Sequence, residues 1–264
     1  MLLIFMVSIT DEAEIVKNGY SFIPSSFSLE AYKTLFQSGK QLLNSYGITI
    51  FVTVVGTVSA TVITGMAAFA ISNPSVKKRN NLSMYFFIPM VFSGGMVPWY
   101  MINNAIGLTD NIWALIIPTL IFNPFNMYLV RNFMMQIPIS LLESAKLDGA
   151  NDLIIAFRIY FPLSVPILAT IALFYSIAYW NDWWNAIMLV SDIDLYPVQY
   201  FLLKLKENST MLNRMQSTSS DNVFPPKESL QMATAVVTIG PIVLAYPFLQ
   251  RFFVKGLVMG AIKE

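Results

Sequence analysis

The chain has 264 residues, of which 56% are hydrophobic and 12% are charged, and its mean hydropathy is +0.60. This composition lies outside the range of ordinary soluble domains, and a net charge of +1 without a Lys- or Arg-rich stripe argues against a nucleic-acid-binding surface. The chain contains no Cys and no His, which excludes disulfides, thiolate metal sites and the commonest general base of enzymes.

Long apolar runs dominate the sequence, and a helix needs roughly 20 apolar residues to cross a bilayer. The run Met1–Ile9 is too short to span, and we expect it to be the outer end of a first span whose inner part lies upstream or is truncated. The complete spans predicted after it are Ser45–Ser72, about Leu82–Asn103, Asn111–Val130, Ile159–Asn181 with a continuation to about Val190, and Ser229–Gln250. The sequence therefore predicts an all-α membrane protein, a polytopic helical bundle.

Lys and Arg residues between the spans predict the orientation, because short cytoplasmic loops are enriched in them. The cationic residues in the short connections on one side are Lys77, Lys78, Arg79, Arg131, Lys146, Arg158, Arg251, Lys255 and Lys263. The other side has fewer cations in much longer stretches. We therefore expect the short basic connections to face the cytoplasm, and the long connections Thr10–Leu43 and Ser191–Glu228 to face outward.

A polar break, Asn123-Pro124-Phe125-Asn126, lies inside the third complete span. An unwound turn there would expose polar atoms of Asn123 and Asn126 to a water-filled path. Hydrogen bonding between helices is an equally good interpretation.

The connection after the third complete span reads LLESAKLDGANDLIIAFRIYFPLSVP from Leu141 to Pro166. Ser140 and Glu143 predict a capping box at the start of a short helix, and Gly149 suits the left-handed residue that ends it. Asn151 or Asp152 would then cap a second short helix. The sequence predicts a bent helix–Gly–helix element, and its many apolar residues indicate a surface that meets a partner.

A Trp-rich cluster follows in the fourth complete span, about 27–35 Å along the helix from Pro162 and therefore near its outer end. Its members are Trp180, Asn181, Asp182, Trp183, Trp184 and Asn185. Aromatic faces that stack on sugar rings, with amides and a carboxylate that bond hydroxyls, would suit a carbohydrate path. An interfacial aromatic belt is an equally good interpretation. On one helix, Trp180 would share a face with Trp184, and Asn181 with Asn185.

The cytoplasmic element resembles the EAA signature of the membrane subunits of bacterial ABC importers: E-A-A, two residues, D-G-A, then a spaced aromatic, an aliphatic residue and proline. The residues that match in type and spacing are Glu143, Ala145, Asp148, Gly149, Ala150, Ile159, Pro162 and Pro166. Ser144 replaces an Ala, and Ala156 stands at the usual aromatic position with Phe157 beside it. The stretches NPFNMYLVRNFMMQIP and AYWNDWWNAI further resemble the maltose-related branch of carbohydrate importers, especially its complex-polysaccharide members.

The resemblance implies a single permease domain over residues 1–264, with a six-span fold whose first span is largely absent or truncated. It implies a coupling helix at residues 139–161, between the fourth and fifth spans, that docks on a cytosolic ATPase dimer. The coupling residues implied are Glu143, Ser144, Ala145, Asp148, Gly149, Ala150, Phe157, Ile159 and Pro162. In that case the chain is not itself an enzyme and binds no cofactor, and ATP and Mg²⁺ are bound by the ATPases.

The other partners implied are a second, homologous permease, an extracytoplasmic solute-binding protein, an oligosaccharide and the lipid of the bacterial inner membrane. The outward connection at 191–228 would meet the solute-binding protein, or it is a flexible loop. No Gly-rich loop ends in Lys-Ser or Lys-Thr, so ATP binding by this chain is not expected.

Competing hypotheses are an importer for a non-sugar solute and a channel or secondary transporter. Only Asp110 and Asp182 approach the spans, which disfavours the second. An intramembrane enzyme would need convergent His, Cys or paired carboxylates at depth, which the sequence lacks. An amphipathic helix lying on the membrane would carry basic residues where Glu143, Asp148 and Asp152 stand.

Overall fold

The computed structural model describes residues 2–37, 39–216 and 228–240. These residues are almost entirely helical, and the β-structure found among them is one isolated bridge between Thr10 and Phe27. The described chain divides into two compact units. The first unit contains the residues up to Thr49 and those from Asp182 onward, and the second is Ile50–Asn181.

The helices before the third predicted span are α1 (Leu2–Ser8), α2 (Glu12–Asn18), α3 (Glu30–Gln37), α4 (Gly39–Ser72), α5 (Arg79–Val91) and α6 (Met96–Ala105). The helices that follow are α7 (Pro124–Met134), α8 (Ile139–Leu147), α9 (Asp152–Ile155), α10 (Phe161–Leu163), α11 (Val165–Trp180), α12 (Trp184–Leu189), α13 (Val198–Gln216) and α14 (residues 228–240). The 3₁₀ turns are Ile112–Leu115 and Ile193–Leu195, and a π-helical turn covers Ala156–Tyr160.

Helix α4 agrees with the first complete span predicted, and it is long and apolar enough to cross a membrane by itself. Helices α5 and α6 form a bent pair with an angle of 117° across the predicted break. Gly95 ends this break with φ +85°, a value that glycine adopts at no steric cost. If each bent pair counts as one span, the described residues contain up to three candidate spans.

The predicted third span, Asn111–Val130, is interrupted over a longer stretch than the polar break at Asn123–Asn126. A 3₁₀ turn at Ile112–Leu115 is followed by turns, and α7 starts only at Pro124. Thr119 adopts φ +67° in this break. Pro118 and Pro124 lack the N–H that a continuing helix would need, so their positions explain the interruption.

The fourth complete span is bent rather than straight. Residues Asp152–Leu163 and Val165–Trp180 meet at an angle of 85°. Pro162 and Pro166 flank the bend, and each removes one helical hydrogen-bond donor. Helix α11 ends at Trp180, so the predicted helical continuation to Val190 is wrong.

The structure describes only parts of the remaining predicted segments. Residues 2–8 of the run Met1–Ile9 form α1, and residues 229–240 of the fifth complete span are helical, while 241–250 lie outside the described residues. The two long connections predicted to face outward contain more helix than expected: α2 and α3 lie within Thr10–Leu43, and α13 lies within Ser191–Glu228. The five-span count stays a prediction.

In the first unit, a buried carboxylate of α2 binds the start of α14. The side chain of Glu12, which is 8% exposed, accepts hydrogen bonds from the amides of Glu228 (2.8 Å) and Ser229 (3.0 Å) and from the Ser229 hydroxyl (2.6 Å). It therefore satisfies donors at the start of α14, as a capping side chain does. An apolar cluster including Leu35, Leu42 and Leu230 packs beside these helices.

Two tyrosines of α11 organise the second unit. The hydroxyl of Tyr175 lies 2.7 Å from the Thr64 hydroxyl and accepts a hydrogen bond from the Asn123 amide (3.0 Å). The hydroxyl of Tyr179 donates to the carbonyl of Ile116 (2.9 Å). These bonds hold the interrupted segment before α7 against α4 and α11.

Candidate functional site

The predicted capping box at the start of the bent element is wrong. Helix α8 begins at Ile139, and no side chain caps it. The preceding residue, Pro138, has an extended backbone with φ −58° and ψ 130°, and its carbonyl accepts the first helical bond from Leu141. Because the helix starts before Ser140, that residue lies within the first turn, where its hydroxyl cannot act as the N-cap.

The end of α8 agrees with the prediction. Gly149 has φ +81°, the left-handed conformation that favours glycine. The amide of Ala150 donates to the carbonyl of Ala145 (3.0 Å), and that of Gly149 donates to Lys146 (3.1 Å). This pair of bonds is a Schellman motif, which satisfies the last carbonyls of the helix and turns the chain sharply.

The second short helix is capped as predicted by Asn151, whose side-chain oxygen accepts the Ile154 amide at 2.8 Å. The π-helical turn follows at once. Ala156, at the position of the aromatic residue in the signature, is fully buried, and the neighbouring Phe157 is 48% exposed. The ring of Phe157 packs on Phe161 with centroids 4.9 Å apart. The aromatic group is therefore present on the surface, one residue away from its usual place.

The element presents two different faces. Leu142, Ala145 and Ile155 are buried, whereas Leu147 is 90% exposed. The predicted coupling residues that are exposed are Glu143, Ser144, Asp148, Gly149, Phe157 and Pro162, and those that are less exposed are Ala145, Ala150 and Ile159. One face thus anchors the element to the second unit, and the other carries acidic and apolar groups that no described residue covers.

Two contacts fix the element to neighbouring segments of its unit. The ammonium group of Lys146 donates to the Ser75 hydroxyl (2.7 Å), which lies in the connection between α4 and α5. The ring of Tyr160 meets Phe69 of α4 edge-on, with centroids 4.9 Å apart. These contacts connect the element to α4 and to the connection that follows it.

The Trp-rich cluster at residues 180–185 is split by the end of α11. Trp180 is the last residue of this helix, and Asn181 follows it, exposed, with its side-chain amide donating to the Ile177 carbonyl (2.8 Å). Because α12 starts only at Trp184, the predicted sharing of a helical face by Trp180 with Trp184 and by Asn181 with Asn185 is wrong.

Asp182 serves as a local cap in the first unit. Its carboxylate accepts the amides of Trp184 (3.1 Å) and Asn185 (3.3 Å) and the side-chain amide of Asn185 (2.8 Å). Asn185 is buried, while Trp183 and Trp184 are 45% and 39% exposed, with rings 5.9 Å apart and nearly perpendicular. Within this part of the cluster, the exposed groups are therefore two aromatic faces.

The polar break before α7 also caps the start of that helix. The Asn123 side chain caps α7 by accepting the amides of Phe125 (2.9 Å) and Asn126 (3.3 Å), and Asn126 is 6% exposed. Sequence reasoning missed the tyrosines that secure this turn, Tyr175 and Tyr179. Their hydroxyls in an otherwise apolar helix, four residues apart, are the signal that would have indicated a shared polar face.

Comparisons with known proteins agree with the resemblance. Residues 45–258 match the family described as "Binding-protein-dependent transport system inner membrane component". Protein LplC of Bacillus subtilis (strain 168) is 39% identical over 265 residues, which cover 99% of this chain and 88% of LplC. The polygalacturonan/rhamnogalacturonan transport system permease protein YtcP of the same organism is 39% identical over 250 residues, which cover 95% of this chain and 87% of YtcP.

A solved structure shares the fold. The crystal structure of a bacterial ABC transporter involved in the import of the acidic polysaccharide alginate aligns with a TM-score of 0.80 and 32% sequence identity. The alignment covers 96% of this chain and 89% of the other.

Proposed function

This chain belongs to the family of binding-protein-dependent transport system inner membrane components, and on that basis we propose that it is a permease subunit of an ABC importer for oligosaccharides or polysaccharide fragments. Relatives named for polygalacturonan, rhamnogalacturonan and alginate support a carbohydrate cargo. The family assignment favours this interpretation over a channel or a secondary transporter, and the relatives named for polysaccharides favour it over an importer for a non-sugar solute.

The observation that carries the mechanism is the exposed face of the bent element at residues 139–161. Glu143, Asp148 and Phe157 are exposed on it, and the left-handed Gly149 sets its turn. Such a rigid, mixed acidic and apolar surface suits a groove on a cytosolic partner. In this proposal the partner is an ATPase dimer, which binds ATP and Mg²⁺ outside this chain.

The transport cycle follows from differential binding. ATP-driven closure of the ATPases draws this element and its counterpart on a second, homologous permease together, and the path opens outward. A loaded solute-binding protein docked on the outward connections favours the same outward-open state. ATP and the loaded binding protein therefore shift the same equilibrium between the inward-open and outward-open states. Hydrolysis of ATP resets the inward state.

The exposed rings of Trp183 and Trp184 are the proposed carbohydrate contacts. Aromatic faces suit the apolar faces of sugar rings. Asp182, Asn185, Asn123 and Asn126 then position these groups and the adjoining helices rather than binding the sugar directly.

The test uses the importer reconstituted with its ATPase and solute-binding protein. Gly149→Asp places a charge on the docking face, and we expect it to abolish the stimulation of ATP hydrolysis by the loaded binding protein. Gly149→Asn is the matched control, because Asn tolerates the left-handed conformation without adding charge. Stimulation that is unchanged in Gly149→Asp would refute the coupling assignment.

A further inference from the structure

A cavity of about 560 Å³ lies between α5 and α7 of the second unit. Its polar lining comes from Asn80 and Ser83 of α5 and from Tyr128, Arg131 and Asn132 of α7. The Tyr128 hydroxyl donates to the Ser83 carbonyl (2.6 Å), which fixes the register of the two helices. None of these residues belongs to the bent element at residues 139–161 or to the Trp-rich cluster at residues 180–185.

The guanidinium group of Arg131 is the unusual feature of this cavity. Its Nε is buried and makes no hydrogen bond. In the part of the chain that the structure describes, no salt bridge or hydrogen bond of the Arg131 side chain is found. A buried cationic donor without a partner is costly, so the site favours an anion that accepts from it.

The chain at the start of α5 is positively charged, as Arg131 is. Lys77, Lys78 and Arg79 directly precede and begin α5, and Asp110 is the only acidic residue between Ala31 and Leu142 in the sequence. The nearby chain therefore offers several cations and almost no competing carboxylate. By the orientation expected from the basic connections, this end of α5 and α7 faces the cytoplasm.

The cavity is open, and its lining becomes apolar farther along α5. Met84, Phe87 and Met90 continue the same face of α5, and Met90 lies about 15 Å along the helix from Asn80. These three side chains are 58%, 44% and 48% exposed. A small hydrated anion would leave this apolar surface uncovered, whereas a lipid chain would cover it.

We propose that this cavity binds an anionic phospholipid of the cytoplasmic leaflet, with its phosphate on Arg131 and Asn80 and an acyl chain along Met84, Phe87 and Met90. Basic pockets between membrane helices on the cytoplasmic side suit such head groups. The orientation of the lipid depends on the membrane orientation of the proposed permease. The lipid measurement itself does not depend on ATPase coupling, so the two proposals can fail separately.

The test is lipid retention by the purified, assembled importer in nanodiscs containing equal amounts of phosphatidylglycerol and phosphatidylcholine, read by native mass spectrometry after extraction. We expect the unmodified importer to retain phosphatidylglycerol selectively. Arg131→Gln should lower this retention roughly tenfold, because one charge-assisted hydrogen bond is lost. Lys33→Gln removes one positive charge from an exposed position in the first unit, away from this cavity and from the bent element at residues 139–161, and should leave retention unchanged.

A second measurement leaves the chain unmodified. Phosphatidylglycerol with a photoreactive acyl chain should cross-link to the α5 peptide that contains Met84 and Phe87. Equal retention of the two lipids, retention unaffected by Arg131→Gln, or an absence of cross-links to α5 would each overturn the proposal. Displacement of the lipid by millimolar inorganic phosphate would identify a free-phosphate site and would also overturn it.

Discussion

The ring of Tyr179 lies against α4 at Gly56, where an added Cβ would come within 2.5 Å of the ring atom Cζ. Tyr179 is 2% exposed, and its hydroxyl donates to Ile116, so the ring cannot move without losing that bond. The close approach of α4 and α11 in the second unit therefore depends on a residue without a side chain at position 56.

Gly56→Ala is expected to destabilise the protein by about 1–3 kcal/mol, because the new methyl group overpacks this contact. Thermal unfolding of the purified chain in detergent measures the effect. Gly47→Ala is the matched control on the same helix, since no atom lies within 4 Å of its added Cβ. That change should stabilise the helix by about 0.5–1 kcal/mol. Equal behaviour of the two variants would contradict the packing argument.

The hydrogen bond from Lys146 to Ser75 is expected to hold α8 in place with a contribution of about 0.5–1.5 kcal/mol, near the lower end because it is exposed. Lys146→Met and Ser75→Ala should each accelerate amide hydrogen exchange in α8. In a double-mutant cycle, the combined variant should exchange no faster than the worse single variant. Strictly additive effects would show that the two side chains act independently.

The Glu12 carboxylate is expected to stabilise the start of α14. Glu12→Ala leaves the amides of Glu228 and Ser229 without this acceptor, and we expect a loss of about 1–3 kcal/mol in the free energy of unfolding. Glu12→Gln keeps one acceptor oxygen and should cost less. The exposed Glu30 provides the control as Glu30→Gln. A Glu12→Ala variant as stable as this control would argue against the cap.

Glu14 provides a pH-dependent contact. The Ser26 hydroxyl and the Ser25 amide lower the pKa of its carboxyl group from 4.5 to about 2. Because the pKa of Glu14 is lower in the folded state than in the unfolded state, its charged carboxylate stabilises the folded state above pH 4.5. This stabilisation is lost as the pH falls toward 2. We therefore expect the protection of the Ser25 and Ser26 amides against hydrogen exchange to decline over this range. Glu14→Gln should remove the pH dependence, and a dependence that persists would point to another group.

Local rules predicted the parts of the candidate site that depend on a few neighbouring residues. The left-handed Gly149 and the Asn151 cap follow from short-range backbone chemistry that tertiary contacts do not override here. The Ser140–Glu143 capping box failed because Pro138 starts the helix earlier. At Asn123 the Asn-Pro pair did carry a helix-start signal, but the surrounding apolar run predicted a local break inside one span rather than the start of a helix.

Contacts between distant segments could not be predicted in this way. Glu12 and Ser229 are 217 residues apart in the chain, and nothing local to either indicates the other. The cavity at Arg131 likewise depends on the register of α5 and α7, which the bond between Tyr128 and Ser83 sets. The composition predicts where apolar helices occur, whereas their breaks and bends depend on such distant contacts.

The central claim is that a cytosolic ATPase binds the exposed face of α8, and site-directed cross-linking tests it most directly. The chain contains no Cys, so Ser144→Cys introduces a unique thiol at an exposed position. In the assembled importer, this thiol is predicted to cross-link to the ATPase, whereas one introduced by Asn104→Cys on α6 is not. A Ser144→Cys thiol that reacts only with reagents added from outside the cell, or that never cross-links to the ATPase, would contradict the account.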